Sequence, residues 1–152
     1  MSAVRELSRE ECVRLLHAGV TGRVAVTTPA GPHLVPVNYS MAGGTVVIAT
    51  TPYSVLGTHA VDAKAVFEID DVDYERQSGW SVTVRGRLRA EDDPAELSRS
   101  QAEWSPRPWA AGTRSLVLRL PLDEVTGRRV GGGAAPVTPP VGRTVGHAPP
   151  SW

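Results

Sequence analysis

Short apolar runs with a period of two follow one another along this chain, separated by turns of two to four residues rich in Gly and Pro. Gly22 to Thr28 alternates through Val24 and Val26, and Pro29-Ala30-Gly31-Pro32 turns it back into His33 to Tyr39. Ala42-Gly43-Gly44 then turns the chain into Thr45 to Thr51. Three consecutive strands on such turns predict an antiparallel meander. Further strands are expected at Ala65 to Asp70, at Gly79 to Ala90 as the longest, at Ser115 to Leu120 and at Glu124 to Val130. Helices are expected only at the periphery. Six or seven strands with two or three helices, and no βαβ rhythm, favour a mainly β fold: a small antiparallel barrel with added helices.

The first helix has a well-defined start. Ser8 and Glu11 have capping-box spacing, Leu7 and Cys12 can staple the turn, and Cys12, Leu15 and Leu16 share a face before Gly19 stops the helix. Cys12 is therefore expected in the core. Ser54 to Ala63 reads as a short second helix, and Asp93-Pro94 opens a third that runs to about Glu103. Pro36 removes a ladder donor, so its strand is an edge or bulges there, and either leaves backbone that a ligand can reach. The last 22 residues, Gly131 to Trp152, hold five Gly and five Pro, which predicts a flexible tail after a domain spanning residues 5 to 130.

Composition excludes several classes. Sixteen basic and sixteen acidic side chains give no net charge, which argues against a nucleic-acid binder or a polybasic membrane-surface protein. No apolar run approaches the roughly 20 residues of a spanning helix, and the N-terminus lacks a secretory signal, so a cytoplasmic location is expected. A lone cysteine excludes a disulfide framework and a multi-cysteine zinc site, and no metal site is expected. No Gly-x-Ser-x-Gly elbow, dinucleotide fingerprint or phosphate-binding Gly-Lys loop is present. The acidic stretch Asp70 to Glu75 fails as a calcium loop, because Arg76 stands where glycine is needed. Residue chemistry alone ends at a small barrel of unassigned ligand.

The runs Gly22-Arg23-Val24-Ala25-Val26, Pro36-Val37-Asn38-Tyr39, Ala65-Val66-Phe67-Glu68-Ile69-Asp70 and Gly79-Trp80-Ser81-Val82 occur in that order. Pro108-Trp109-Ala110 and Thr126-Gly127-Arg128-Arg129 follow them. Together they resemble the flavin-binding split β-barrel proteins related to pyridoxamine 5′-phosphate oxidase, in the small bacterial branch that includes nitroimidazole-resistance proteins. The resemblance covers residues 5 to 130 and implies a split antiparallel barrel, a homodimer, and flavin mononucleotide (FMN) in clefts between the subunits. It places the flavin ring along His33 to Tyr39, on backbone groups of Val35, Val37 and Asn38 beside Pro36. Thr50 and Thr51 would meet the ribityl chain or phosphate, and Ser54 would cap a helix whose amides point at the phosphate. Trp80, Ser81 and Trp109 would line or close the cleft. Tyr39 is the candidate proton donor near the ring, and no catalytic residue is otherwise assigned.

One departure stands out. The family carries Lys or Arg after the serine, and this chain has Val55. Arg85, Lys64, His59 or His33 could supply the missing charge. The resemblance therefore implies a flavin-dependent oxidoreductase acting on a small conjugated or electron-poor molecule. The alternatives are a barrel with weakened or lost flavin binding that serves as a binding or scaffold protein, and a deazaflavin- or haem-binding relative.

Overall fold

The computed structural model describes residues 4–103 and 115–131. Chain order is β1 (Val4–Glu6), α1 (Arg9–Ala18), β2 (Thr21–Thr28), β3 (Gly31–Ala42), β4 (Thr45–Thr50) and α2 (Val55–His59). Then come β5 (Lys64–Asp73), β6 (Ser78–Arg87), β7 (Arg89–Ala90), α3 (Pro94–Glu103), β8 (Leu116–Pro121) and β9 (Glu124–Val130). All strand pairs are antiparallel, in the order β1-β9-β6-β5-β2-β3-β4-β8-β7. This is a split barrel: the sheet curls on itself without a ladder to close it. A Cβ on Gly86 of β6 would sit 3.1 Å from Leu120 of β8, so the curl brings those two strands into direct contact.

The β2–β3–β4 meander forms as its turns predict, with Gly43 and Gly44 both at positive φ in the second hairpin. The described residues hold nine strands, two more than the upper expectation. The additions, β1 and β7, are three and two residues long and are made by pairing rather than by local pattern. The strand expected over Gly79 to Ala90 is broken at Leu88. That residue is fully buried, accepts from the Asp62 amide at 2.8 Å and donates to the Ala63 carbonyl at 3.0 Å. The chain then passes from β9's neighbour to β8's, and β3, with 12 residues, is the longest strand. The helix expected to reach Ala63 ends at His59, because Asp62 takes φ 58° where the chain turns into β5.

Helix α1 has the expected cap. The Glu11 amide donates to Ser8 Oγ at 3.2 Å and the Ser8 amide donates to Glu11 Oε2 at 2.8 Å. Its apolar face of Cys12, Leu15 and Leu16 is buried against the sheet, over Gly127 of β9. A Cβ there would lie 2.6 Å from Cys12 Sγ, so glycine is what lets the helix sit down. Cys12 is a core residue, and burial pushes its thiol up. The core continues through Val24, Val26, Phe67, Ile69, Val82 and Val84 on one sheet face and Val46, Ile48, Leu118 and Leu120 on the other half of the sheet. The predicted tail beyond residue 131 lies outside the described residues.

Candidate functional site

Strand β3 serves two partners in turn. Gly31 to Asn38 pair with β2, and Tyr39 to Ala42 pair with β4. The recorded β3–β4 pairs stop at Tyr39 and Ile48, while β4 continues to Thr50 beside β8. A fork therefore opens between Asn38 and Ala49. Antiparallel residues alternate between facing their partner strand with both polar groups and facing away with both. The Tyr39 amide donates to the Val20 carbonyl at 2.9 Å, so odd-numbered residues face β2 and even-numbered ones face the fork. Pro32 and Pro36 thus turn their donor-less nitrogens to the open side. The amides of Leu34 and Asn38 are the donors left there, beside the carbonyls of residues 32, 34 and 36.

This arrangement bears out Pro36 as an edge proline and corrects part of the expected flavin contact. Val35 and Val37 direct their backbone at β2, and both side chains pack on the core. Leu34, which sequence reasoning passed over, and Asn38 hold the accessible donors. Tyr39 is also corrected. Its ring is buried, packs edge-on to Phe67 at 4.8 Å, and its hydroxyl donates to the Leu16 carbonyl at 2.7 Å. Burial raises its phenol far above the ordinary range, so it is not a proton donor to the fork.

The far lip of the fork leads from Thr50 into α2. Ser54 caps that helix: its Oγ accepts from the Gly57 amide at 3.0 Å, donates to the Thr51 carbonyl at 2.8 Å and lies 2.8 Å from Thr50 Oγ1. Since its one proton goes to Thr51, Thr50 is the donor of that pair. Ser54's hydroxyl is committed to the local fold. The amides of Val55 and Leu56, in the first turn, have no intrahelical acceptor. Val55 itself is half-buried against the core, so position 55 brings no cation to this helix start.

Trp80 and Ser81 cannot line one cleft, because successive strand residues point to opposite faces. Trp80 packs toward the core, whereas Ser81 opens onto the outer face of the sheet. There a concavity of about 550 Å³ includes Ser81, Thr83 and Arg85 of β6, Thr126 and Arg128 of β9, and Glu6 of β1. Cross-strand register sets Thr83 opposite Thr126, Ser81 opposite Arg128 and Arg128 opposite Glu6. On the same face Arg23 of β2 holds Glu68 at 2.8 Å and also Asp70, one positive charge shared between two carboxylates. The polar alternation Ser81, Thr83, Arg85 was visible in the sequence. Its pairing with Thr126 and Arg128, more than 40 residues on, was not. Trp109 lies outside the described residues.

The profile of the family described as pyridoxamine 5′-phosphate oxidase matches residues 8–129. This chain belongs to that family. An uncharacterised protein of Mycobacterium tuberculosis is 36% identical to it over 132 residues, covering 84% of this chain and 86% of the relative. Among solved structures, the FAD-binding protein from Mycobacterium smegmatis superposes with TM-score 0.70 at 31% identity, covering 84% of this chain and 98% of its own. A Corynebacterium glutamicum protein that carries the pyridoxamine 5′-phosphate oxidase name gives TM-score 0.72 at 25% identity, covering 87% and 96%. A pyridoxamine 5′-phosphate oxidase-like split barrel with a flavin-binding neighbour is thus the setting in which the fork has to be read.

Proposed function

We propose that this chain is a flavin-dependent oxidoreductase that holds its flavin in the β3–β4 fork and acts on a small conjugated or electron-poor molecule. The observation that carries the reading is the open edge of β3, where the Leu34 and Asn38 amides face away from β2 with no strand among the described residues to receive them. Fixed, unpartnered backbone donors beside a cleft are what the edge of a flavin ring requires. The FAD-binding neighbour at 31% identity supports the same ligand class.

A bound flavin supplies the hydride chemistry. The chain's own part is to bind and orient. The Asn38 amide, at the mouth of the fork, hydrogen-bonds a ring acceptor, and the half-buried Val35 and Val37 stiffen that strand against the core. Thr50, Thr51 and the first-turn amides of α2 hold the polar arm. The donors fit the ring and the neutral arm. At the phosphate the α2 start offers dipoles only, because Val55 stands where the resemblance implies a cation. A homodimer, in which a second copy closes the fork and excludes water, completes the reading, and the protein works in the cytoplasm. Among the described residues no helix is long and apolar enough to cross a membrane.

Val55 also favours a second reading, a barrel whose flavin affinity has been weakened or lost and which serves as a binding protein. Titration with FMN and with FAD, followed by quenching of flavin fluorescence, separates the two. Saturable binding of either flavin at micromolar concentration is expected for the oxidoreductase. Val55→Lys should then tighten FMN about tenfold to a hundredfold, the effect of one charge-assisted contact of about 1.5–3 kcal/mol. If neither flavin binds the wild type or the Val55→Lys protein, the flavin reading fails, and deazaflavin and haem become the ligands to test.

A further inference from the structure

Helix α3 is attached to the sheet differently from α1. Pro94–Glu103 contains one large apolar side chain, Leu97, and that residue is only half-buried. Helix α1, of the same length, buries Cys12, Leu15 and Leu16. A helix this short does not persist alone in water, so α3 depends on polar ties. They converge on Arg119 of β8. Its Nε donates to Glu91, its Nη2 to Glu96 Oε2 at 3.1 Å and its Nη1 to Thr45 Oγ1 at 3.2 Å. Glu91 passes the tie on to the helix start. Its other oxygen accepts from the Asp93 amide at 3.1 Å, and Asp93 Oδ1 caps α3 by accepting from the Ala95 amide at 2.8 Å. The Arg119 side chain is 17% exposed and that of Glu91 13%, so the network is shielded from the water that weakens surface ion pairs.

The sheet under this network carries its own apolar pair. Val46, Ile48, Leu118 and Leu120 face the core, so Val47 and Val117 point to the opposite face of the same strands. Both are nevertheless buried, and neither belongs to the core cluster. Arg119 stands opposite Val47 in the β4–β8 register and is bonded to the first turn of α3, which therefore lies over that face. We propose that α3 is a conditionally folded cover over Val47 and Val117, latched by Arg119, and that it opens without the barrel. Release bares an apolar patch beside the far lip of the fork, where Val117 pairs with Ala49. The barrel keeps its packing, because no described α3 side chain belongs to the core cluster. The latch does not depend on a flavin in the fork.

Hydrogen exchange of the full-length protein, read by mass spectrometry on α3 and β6 of the same molecules, tests the latch. Arg119→Met keeps most of the side chain's bulk and removes its donors. The α3 amides should lose about tenfold to a hundredfold in protection, the effect of charge-assisted bonds, while β6 keeps its own. Arg99→Ala removes only the exposed neighbour of Glu96 on the helix and should leave α3 nearly as protected as before. Protection at α3 that survives Arg119→Met overturns the proposal. Equal loss at α3 and β6 does so too, because the two would then open as one unit. Should Arg119→Met fail to fold, Glu96→Ala gives the reading, since it leaves the bonds to Glu91 and Thr45 in place, and the same two outcomes decide. A thiol probe tests the cover. Val47→Cys should react with a maleimide slowly in the wild-type background and about tenfold faster beside the latch substitution. Equal rates would mean that α3 is not the cover, and would overturn the proposal. The native Cys12, buried in the core, reports opening of the barrel in the same experiment.

Discussion

Tyr39 shows how far a residue's role depends on what meets it from outside its own element. Its parity with Val35 and Val37 is readable in the sequence, and all three face inward. The bond from its hydroxyl to the Leu16 carbonyl is not, because it joins a strand to a helix across the core. Gly19 belongs to the same arrangement: a Cβ there would fall 2.2 Å from the tyrosine oxygen, so the glycine is needed for close approach and not for an unusual backbone angle. Tyr39→Phe should therefore cost about 1–2 kcal/mol of stability, one buried hydrogen bond with its acceptor left unpaired, while flavin affinity stays unchanged. Urea denaturation beside a flavin titration checks both halves. A loss of flavin binding at unaltered stability would put the phenol back at the ring.

At the scale of elements, local signals were legible and pairing was not. The capping box of α1 and the Gly-Gly hairpin are written within four residues each, and both form. β1 and β7 have no pattern of their own, so only β9 and β8 make them strands. The fork is an intermediate case: Pro36 announced an open edge, but which amides face it follows from a register that sequence spacing cannot fix. The α1 cap has a further partner in β1, where Arg5 binds Glu11 at 2.8 Å. That hydrogen bond, and then the one from the Ser8 amide, lowers the Glu11 carboxyl from 4.5 to about 2. A carboxyl depressed in the folded state adds stability above its unfolded value and loses it as pH falls through the folded one. The wild type should accordingly lead Glu11→Gln in melting temperature above about pH 4.5, and the gap should close toward pH 2. A gap that does not depend on pH would mean that the ionised form makes no special contribution.

For the whole molecule, one strand joins the two halves of the sheet. Because β3 belongs to β2 at one end and β4 at the other, the fork is set by the main fold and not by a loop. Open sites of this kind need something to exclude water, and a second copy of the chain is the partner the proposed function requires. Sedimentation at micromolar concentration should show a dimer; a monomer there would remove the shared cleft. The strand order, with β9 between β1 and β6, could not be read from the sequence, because each such pair joins segments far apart in the chain. One consequence follows from the prolines at positions 32 and 36. An unprotected sheet edge is a template on which a stray polypeptide can extend the sheet, and it leads toward aggregation. Two missing donors on alternate outward positions deny such an intruder a continuous ladder. The Leu34 and Asn38 amides still face the open side, where the proposed flavin would lie. The same edge can thus stay open to a ligand for the life of the protein while remaining closed to other chains.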